Sequence, residues 1–194
     1  MRAVRCRPLG WAYGRTSRPH PALTRLDLLA EPVAAALKQW TGPVPADAVE
    51  VAEIDPDLAD TAAFCAHYGV APEESVNCVV IAAKRGSEVT YAACMVTATT
   101  RADVNGLVRR HLGARKASFA PLAEVAEMSG MEYGGITPIG LPAGWPILVD
   151  PVAAELPSAI IGSGNRRAKL RLPGAALAGL PGAEVLPGLG VPLG

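Results

Sequence analysis

The stretch VNCVVIAAKRGSEVTYAACMVT, residues 76–97, decides the fold class. Residues 76–83 and 90–97 are apolar runs of strand length, and Lys84-Arg85-Gly86-Ser87 between them has the composition of a hairpin loop. A hairpin imposes antiparallel pairing. Strands and helices alternate on both sides of it, so the expected class is α/β (mixed α+β). The expected sheet is mixed, partly antiparallel and barrel-like, with packed helices.

Toward the N-terminus, Leu26, Leu29, Val33 and Leu37 recur at helical spacing and predict an amphipathic helix over 23–40. Val49, Val51 and Ile54 predict a strand. Asp55-Pro56-Asp57 has the order of an N-cap, a first-turn proline and a first-turn acid, for a helix running to His67 and stopped by Gly69. Toward the C-terminus, Thr100 is expected to cap a helix through Leu112. A strand over Lys116–Phe119 and a helix over 121–128 ending at Gly130 follow. Further strands are expected over Ile147–Val149, 159–161 and 169–172, with an acidic turn at Asp150-Pro151. Residues 173–194 are expected to hold a short helix and a loose tail.

The domain reading is a basic, disordered extension over 1–22, one domain over 23–188, and a tail over 189–194. The extension carries Arg2, Arg5, Arg7, Arg15 and Arg18, with no acid before Asp27 and no apolar segment of a secretory signal. No apolar run is long enough for a transmembrane helix.

The chain has 194 residues with 18 basic and 18 acidic side chains. Proteins that grip long nucleic-acid backbones carry a basic excess, so duplex DNA is not an expected partner. Contact with one nucleic-acid end needs only a few local charges. The four cysteines show no C-x-x-C and no spacing that joins them to the three histidines as a zinc site. No metal and no cofactor is therefore expected, and the reducing cytosol is the expected compartment.

Several motifs fail on inspection. In Gly162-Ser163-Gly164 the third glycine of a dinucleotide fingerprint would fall on Arg167, and the chain continues into a strand rather than a helix. What remains is either a glycine turn with Arg166 and Arg167 near enough to meet an anion, or a plain β-turn with solvated arginines. Cys65 and His67 stand two apart on one helix and point to different faces. There is no G-x-S-x-G elbow and no obvious carboxylate pair.

Gly134-Gly135-Ile136-Thr137-Pro138-Ile139-Gly140 is the most unusual segment. Adjacent glycines let a ligand approach main-chain N–H groups, and Pro138 stiffens the loop. Such a loop is either a structural turn or a preorganised oxyanion cradle.

At this loop the chain resembles the YbaK/EbsC family, editing domains associated with prolyl-tRNA synthetases and their free-standing relatives. The Gly-x-x-x-Pro loop is 134–138 here. The run 76–83 resembles the family's first core strand, Gly113-Ala114-Arg115-Lys116 its Gly-Ala-Lys/Arg-Lys step, and 160–166 its late Gly-rich strand end. The resemblance spans about residues 23–188. It implies hydrolysis of mischarged aminoacyl-tRNA by a substrate-assisted route, in which a terminal ribose hydroxyl helps to activate water. Only the 3′ acceptor end would enter, and a synthetase is an implied partner. On this resemblance Gly134, Gly135, Ile136, Thr137 and Asn77 are the catalytic candidates. Pro138, Lys116, Gly162, Ser163, Gly164 and Arg166 are the substrate-binding candidates.

Two positions depart from the pattern. A lysine common in the family's first core strand is Asn77 here, and a late aspartate is replaced at about Lys169. The alternative function is thus a non-catalytic module holding an aminoacyl-tRNA end, an amino acid or a nucleotide. An amide in an apolar strand needs partners, because burying it unpaired costs roughly 1–3 kcal/mol. Asn77 is either a pocket group or a structural amide of the sheet.

Overall fold

The computed structural model of the protein describes residues 18–193. Most of the basic extension lies outside this range. The described part opens with β1 (His20–Pro21) and two 3-10 turns, Ala22–Thr24 and Leu26–Leu28, before α1 (Glu31–Lys38). The first helix therefore starts well after the expected Leu23. Pro32 sits in its first turn, where a missing N–H costs nothing, and the residue before a proline resists helical geometry. Leu26 and Leu29 still face the core, from the 3-10 segment and its flank.

Next come β2 (Glu50–Glu53) and α2 (Thr61–Tyr68). Asp55 does cap, accepting from Asp57 N–H at 2.9 Å, but what it caps is the 3-10 turn Pro56–Leu58. The helix proper begins six residues later and ends as expected at Gly69, whose φ is +66°.

The hairpin pairs β3 (Val76–Arg85) with β4 (Glu88–Thr97) over its full length. The connection is shorter than expected, only Gly86 and Ser87. Gly86 has φ +65°, as a two-residue hairpin turn with glycine first requires. Beyond it, β5 (Thr100–Ala102) occupies the position expected to begin a helix. Asp103, not Thr100, is the cap: its carboxylate accepts from Gly106 and Leu107 N–H at 3.0 and 2.8 Å. It starts a wide turn, Val104–Val108, that runs into α3 (Arg109–His111).

The remaining elements are β6 (Lys116–Phe119), α4 (Leu122–Ser129), β7 (Ile147–Val149), α5 (Pro151–Glu155), β8 (Ala159–Gly162), β9 (Ala168–Leu172), α6 (Gly174–Ala178), β10 (Ala183–Val185) and β11 (Gly190–Pro192). The acidic turn is the start of α5, with Asp150 accepting from Val152 N–H at 2.9 Å. The end of the chain is not a loose tail. β11 pairs antiparallel with β5, Leu189 is fully buried, and Gly190 N–H donates to Asp150 at 2.7 Å.

Two larger sheets result, with strand orders β1-β2-β9-β8 and β10-β7-β4-β3-β6. The first is antiparallel throughout. In the second, β7 runs parallel to both β4 and β10 while β3 is antiparallel to β4 and β6. The mixed, partly antiparallel α/β class is thus correct, and the barrel-like description holds only loosely: among the described residues the strands form three sheets and no closed barrel. The two large sheets meet where Ser75 bridges Ile160 and Ile160 N–H donates to Glu74 at 2.8 Å.

The main core lies between the sheets and under α1 and α6. Val33, Leu37, Met95, Ile161, Leu170 and Leu177 are all at most 1% exposed there. Each such side chain contributes roughly 1.5–3 kcal/mol of apolar burial. A separate cluster joins α2 to the outer face of β8 and β2 through Phe64, Tyr68, Ala52 and Ile160. The opening of the candidate site lies between these packed blocks.

Candidate functional site

Where the two sheets meet, a cavity of about 500 Å³ opens between the start of β3, the start of α2, and the loop after α4. Asn77, Gly134, Ile136 and Gly162 line it together, so the strand and loop singled out in the sequence share one space. Val80, Val125 and Ile161 make an apolar wall, while Asp60, Thr61 and Lys169 make a polar one. Phe119, Leu122 and Tyr133 stand at the cavity with 66%, 55% and 57% of their surface exposed, so they form its rim.

The glycine loop is held by backbone. Gly164 N–H donates to Gly135 O at 2.7 Å, and Glu132 N–H donates to Gly164 O at 2.8 Å. This fixes loop 132–136 against the turn between β8 and β9. The approach is so close that a Cβ on Gly135 would overlap the Asn165 backbone, and one on Gly162 would overlap the carbonyls of Gly135 and Ile136. Gly134 has φ +83°, and a side chain there would also collide with the Arg166 guanidinium. Among the described residues, the N–H groups of Gly134, Ile136 and Thr137 donate to no protein acceptor.

Asn77 is half-buried. Its Oδ1 accepts from Thr61 Oγ1 at 2.7 Å, which fixes the amide so that Nδ2 carries the free donors. Both residues line the cavity. Thr61 opens α2, so the position of the helix sets the orientation of the amide.

The other sequence candidates lie elsewhere. Lys116 pairs with Lys84 at the hairpin end of β3, seven residues from Asn77, which is roughly 23 Å along an extended strand. Thr137 is fully buried and, among the described residues, its Oγ1 has no partner. Pro138 lines a second cavity of about 630 Å³ with Trp40 and Trp145, whose lining carries no ionisable side chain. Ser163 is buried and donates to Ala168 O at 2.8 Å, and Gly164 packs against Ala30 and Val33. Those two shape the turn rather than the cavity. Arg166 reaches Pro56 O at 3.1 Å and Asp60 at 3.7 Å beside Gly134.

Lys169 has a larger place than the sequence suggested. It lies on β9, is 8% exposed, and its Nζ donates to Ala59 O at 2.9 Å, 5.3 Å from the centre of the Phe64 ring. Burial pushes its pKa down to about 8, with nearby Arg166 acting in the same direction and Cys65 and Asp60 opposing. The sequence signal was weak: Ala168-Lys169-Leu170-Arg171-Leu172 alternates apolar and basic residues and follows Arg166-Arg167, which reads as a half-exposed strand with Lys169 on its polar face. Thr61 and the rim residues carried no signal.

Cys94 is a free thiol in the core, where burial pushes its pKa up to about 12. Cys78 is a half-buried free thiol on the cavity wall, and loss of solvation pushes its pKa upward as well, which disfavours the thiolate at both. Among the described residues no group of His, Cys, Asp or Glu is arranged to hold a metal ion. No helix there is long and apolar enough to cross a membrane.

This combination of a mixed sheet, a backbone-built glycine loop and a cavity beside the first core strand defines a class. The aminoacyl-tRNA editing domain family model matches residues 55–180, and the chain belongs to that family. Among solved structures, it is similar to a candidate trans-editing enzyme for prolyl tRNA synthetase. The TM-score is 0.68 at 23% identity, covering 81% of this chain and 94% of the other. A scaffold protein used for grafting epitopes matches equally, with TM-score 0.68 and 23% identity over 81% and 95% of the two chains. A hypothetical protein follows at 0.60 and 22%, over 69% and 85%. At these identities the likeness shows the fold. No match was found among the curated proteins.

Proposed function

We propose that this protein is an aminoacyl-tRNA deacylase that releases a small mischarged residue from the 3′ acceptor end of tRNA. The observation that carries the reading is that Asn77, Gly134 and Ile136 line one cavity in a chain of the editing-domain family. In this reading the ester carbonyl lies against the 134–136 loop, whose unpaired N–H groups take the developing oxyanion. The free Nδ2 donors of Asn77 orient the ester. Water attacks the carbonyl carbon, with a neighbouring ribose hydroxyl assisting. The ester bond to the ribose oxygen breaks, and the proton lost by the water ends on that oxygen. The products are a free amino acid and intact tRNA. Such chemistry asks for no side-chain triad, and a balanced net charge suffices because only a strand end is bound. The protein acts in this reading in the cytosol, alongside a synthetase that makes the error.

The test is a deacylation panel of tRNAs mischarged with small residues such as Ala and Cys. Release of at least one above the uncatalysed rate is expected; intact ester across the whole panel sinks the reading.

One feature favours a second reading, binding without turnover: the cavity-lining residue of β3 is the uncharged amide Asn77, at the position where the family resemblance implies a lysine in many members. That reading predicts ligand-dependent thermal stabilisation with no hydrolysis, and hydrolysis restored by Asn77→Lys.

A further inference from the structure

Lys169 is an expensive feature. Its ammonium has three N–H donors; among the described residues the Ala59 carbonyl alone accepts one of them, and the Phe64 ring lies 5.3 Å away. Among the described residues no carboxylate forms an ion pair with it. Asp60, on the same wall, has a 65% exposed side chain engaged with Arg166. The ammonium also sits just ahead of the first turn of α2, where the helix dipole disfavours a cation. The titratable groups around it are Cys65 and Asp60 on the α2 side and Arg166 on the turn before β9. Its cross-strand neighbours, Ala52 on β2 and Gly162 on β8, carry no charge. A buried cation without a counter-charge destabilises a fold unless something completes its coordination. The open side of this one is the cavity.

We propose that Lys169 is the anion-recognising group of the cavity and binds an oxyanion of the ligand, a phosphate or a carboxylate. This deepens the deacylase reading and rests on it for the source of that oxyanion. On an aminoacyl-tRNA end it is the phosphate of the terminal nucleotide, or the side-chain carboxylate of an acidic aminoacyl group. The same charge sets the polarity of binding: the α-amino group of the ester, itself a cation near neutral pH, is turned away from β9.

The experiment titrates the full chain at pH 7 with two pairs of probes that differ in the oxyanion, adenosine 5′-monophosphate against adenosine and glutamate against glutamine. The charged member of one pair binds at least tenfold more tightly than its neutral partner, and Lys169→Met removes that advantage. In the unmodified chain the advantage also declines as the pH is raised and the ammonium loses its proton. A phosphate preference identifies the nucleotide as the source; a glutamate preference identifies the aminoacyl side chain. Equal binding within both pairs, or an advantage that survives Lys169→Met, overturns the inference. The mischarged-tRNA panel run on the same protein separates the two claims. Deacylation without any oxyanion preference leaves the deacylase reading standing and removes this one. A Lys169-dependent preference without deacylation does the reverse.

Discussion

Thr61 Oγ1 donates to Asn77 Oδ1 at 2.7 Å, tying the first residue of α2 to the second residue of β3. The bond spends the acceptor of the amide on the protein and leaves its donors for the cavity. Asn77→Ala removes both and should lower kcat/KM for deacylation about tenfold, the worth of one to two donated hydrogen bonds. Thr61→Val removes only the orienting partner and should cost less. Equal activity of Asn77→Ala and the unmodified chain on every substrate would show that the amide is merely structural.

Gly162 and the carbonyls of Gly135 and Ile136 leave no room for a methyl group. Gly162→Ala should displace the 134–136 loop. The expected outcome is loss of most deacylation together with destabilisation of about 1–3 kcal/mol, the usual range for overpacking. Urea unfolding and steady-state kinetics on one preparation report both.

Lys169 gives a stability signature opposite to that of a salt-bridged lysine. Its ordinary value is 10.5, and burial brings it to about 8 in the folded chain. Below about pH 8 both folded and unfolded chains hold the proton, and the cost of the buried charge is present in full. Between about 8 and 10.5 the unfolded chain binds more protons, so stability rises with pH. The whole effect is on the order of 3 kcal/mol. Lys169→Met should therefore raise Tm at pH 7, with the gain shrinking toward pH 10. A difference between the two proteins that does not change with pH would contradict this.

Thr137 carries a fully buried hydroxyl that has no partner among the described residues. Thr137→Val keeps the shape and removes the unsatisfied group, so it should stabilise by about 1 kcal/mol. Thermal melts decide the sign, and a loss of stability would mean that the hydroxyl is satisfied.

Asp150 holds two distant parts of the chain, capping α5 through Val152 and anchoring β11 through Gly190. Asp150→Ala should cost about 2 kcal/mol, the sum of a lost cap and a part-buried N–H left without its partner. Hydrogen exchange should show the amide of Gly190 opening before that of Val80.

Local patterns were legible wherever one residue type had one physical meaning. The apolar runs of β3 and β4 and the glycines that end α2 and α4 fall where the sequence placed them. Capping was legible in kind but not in position: Asp55 caps a 3-10 turn, and Asp103 took the role read for Thr100, because β5 pairs with β11 and holds Thr100 extended. That pairing joins residues as far apart as Thr100 and Pro192 and has no local trace. At the site, Asn77 and the 134–136 loop stood out because an amide in an apolar strand and paired glycines are costly. Lys116 was placed with them by motif order, but β6 carries it to the far end of the hairpin. In the sequence Lys169 stands out only as a departure from the family pattern; its burial and its place on the cavity wall come from packing β9 against α2.

The interlock between Gly135 and Gly162 means that one side of the cavity is written in main chain alone. Substitutions cannot retune that side without breaking it. On the proposed deacylase reading, a change in which amino acid is accepted would fall to the facing wall of Val80 and Val125 and to the rim at Phe119 and Leu122, where a new side chain alters size and polarity without moving the loop.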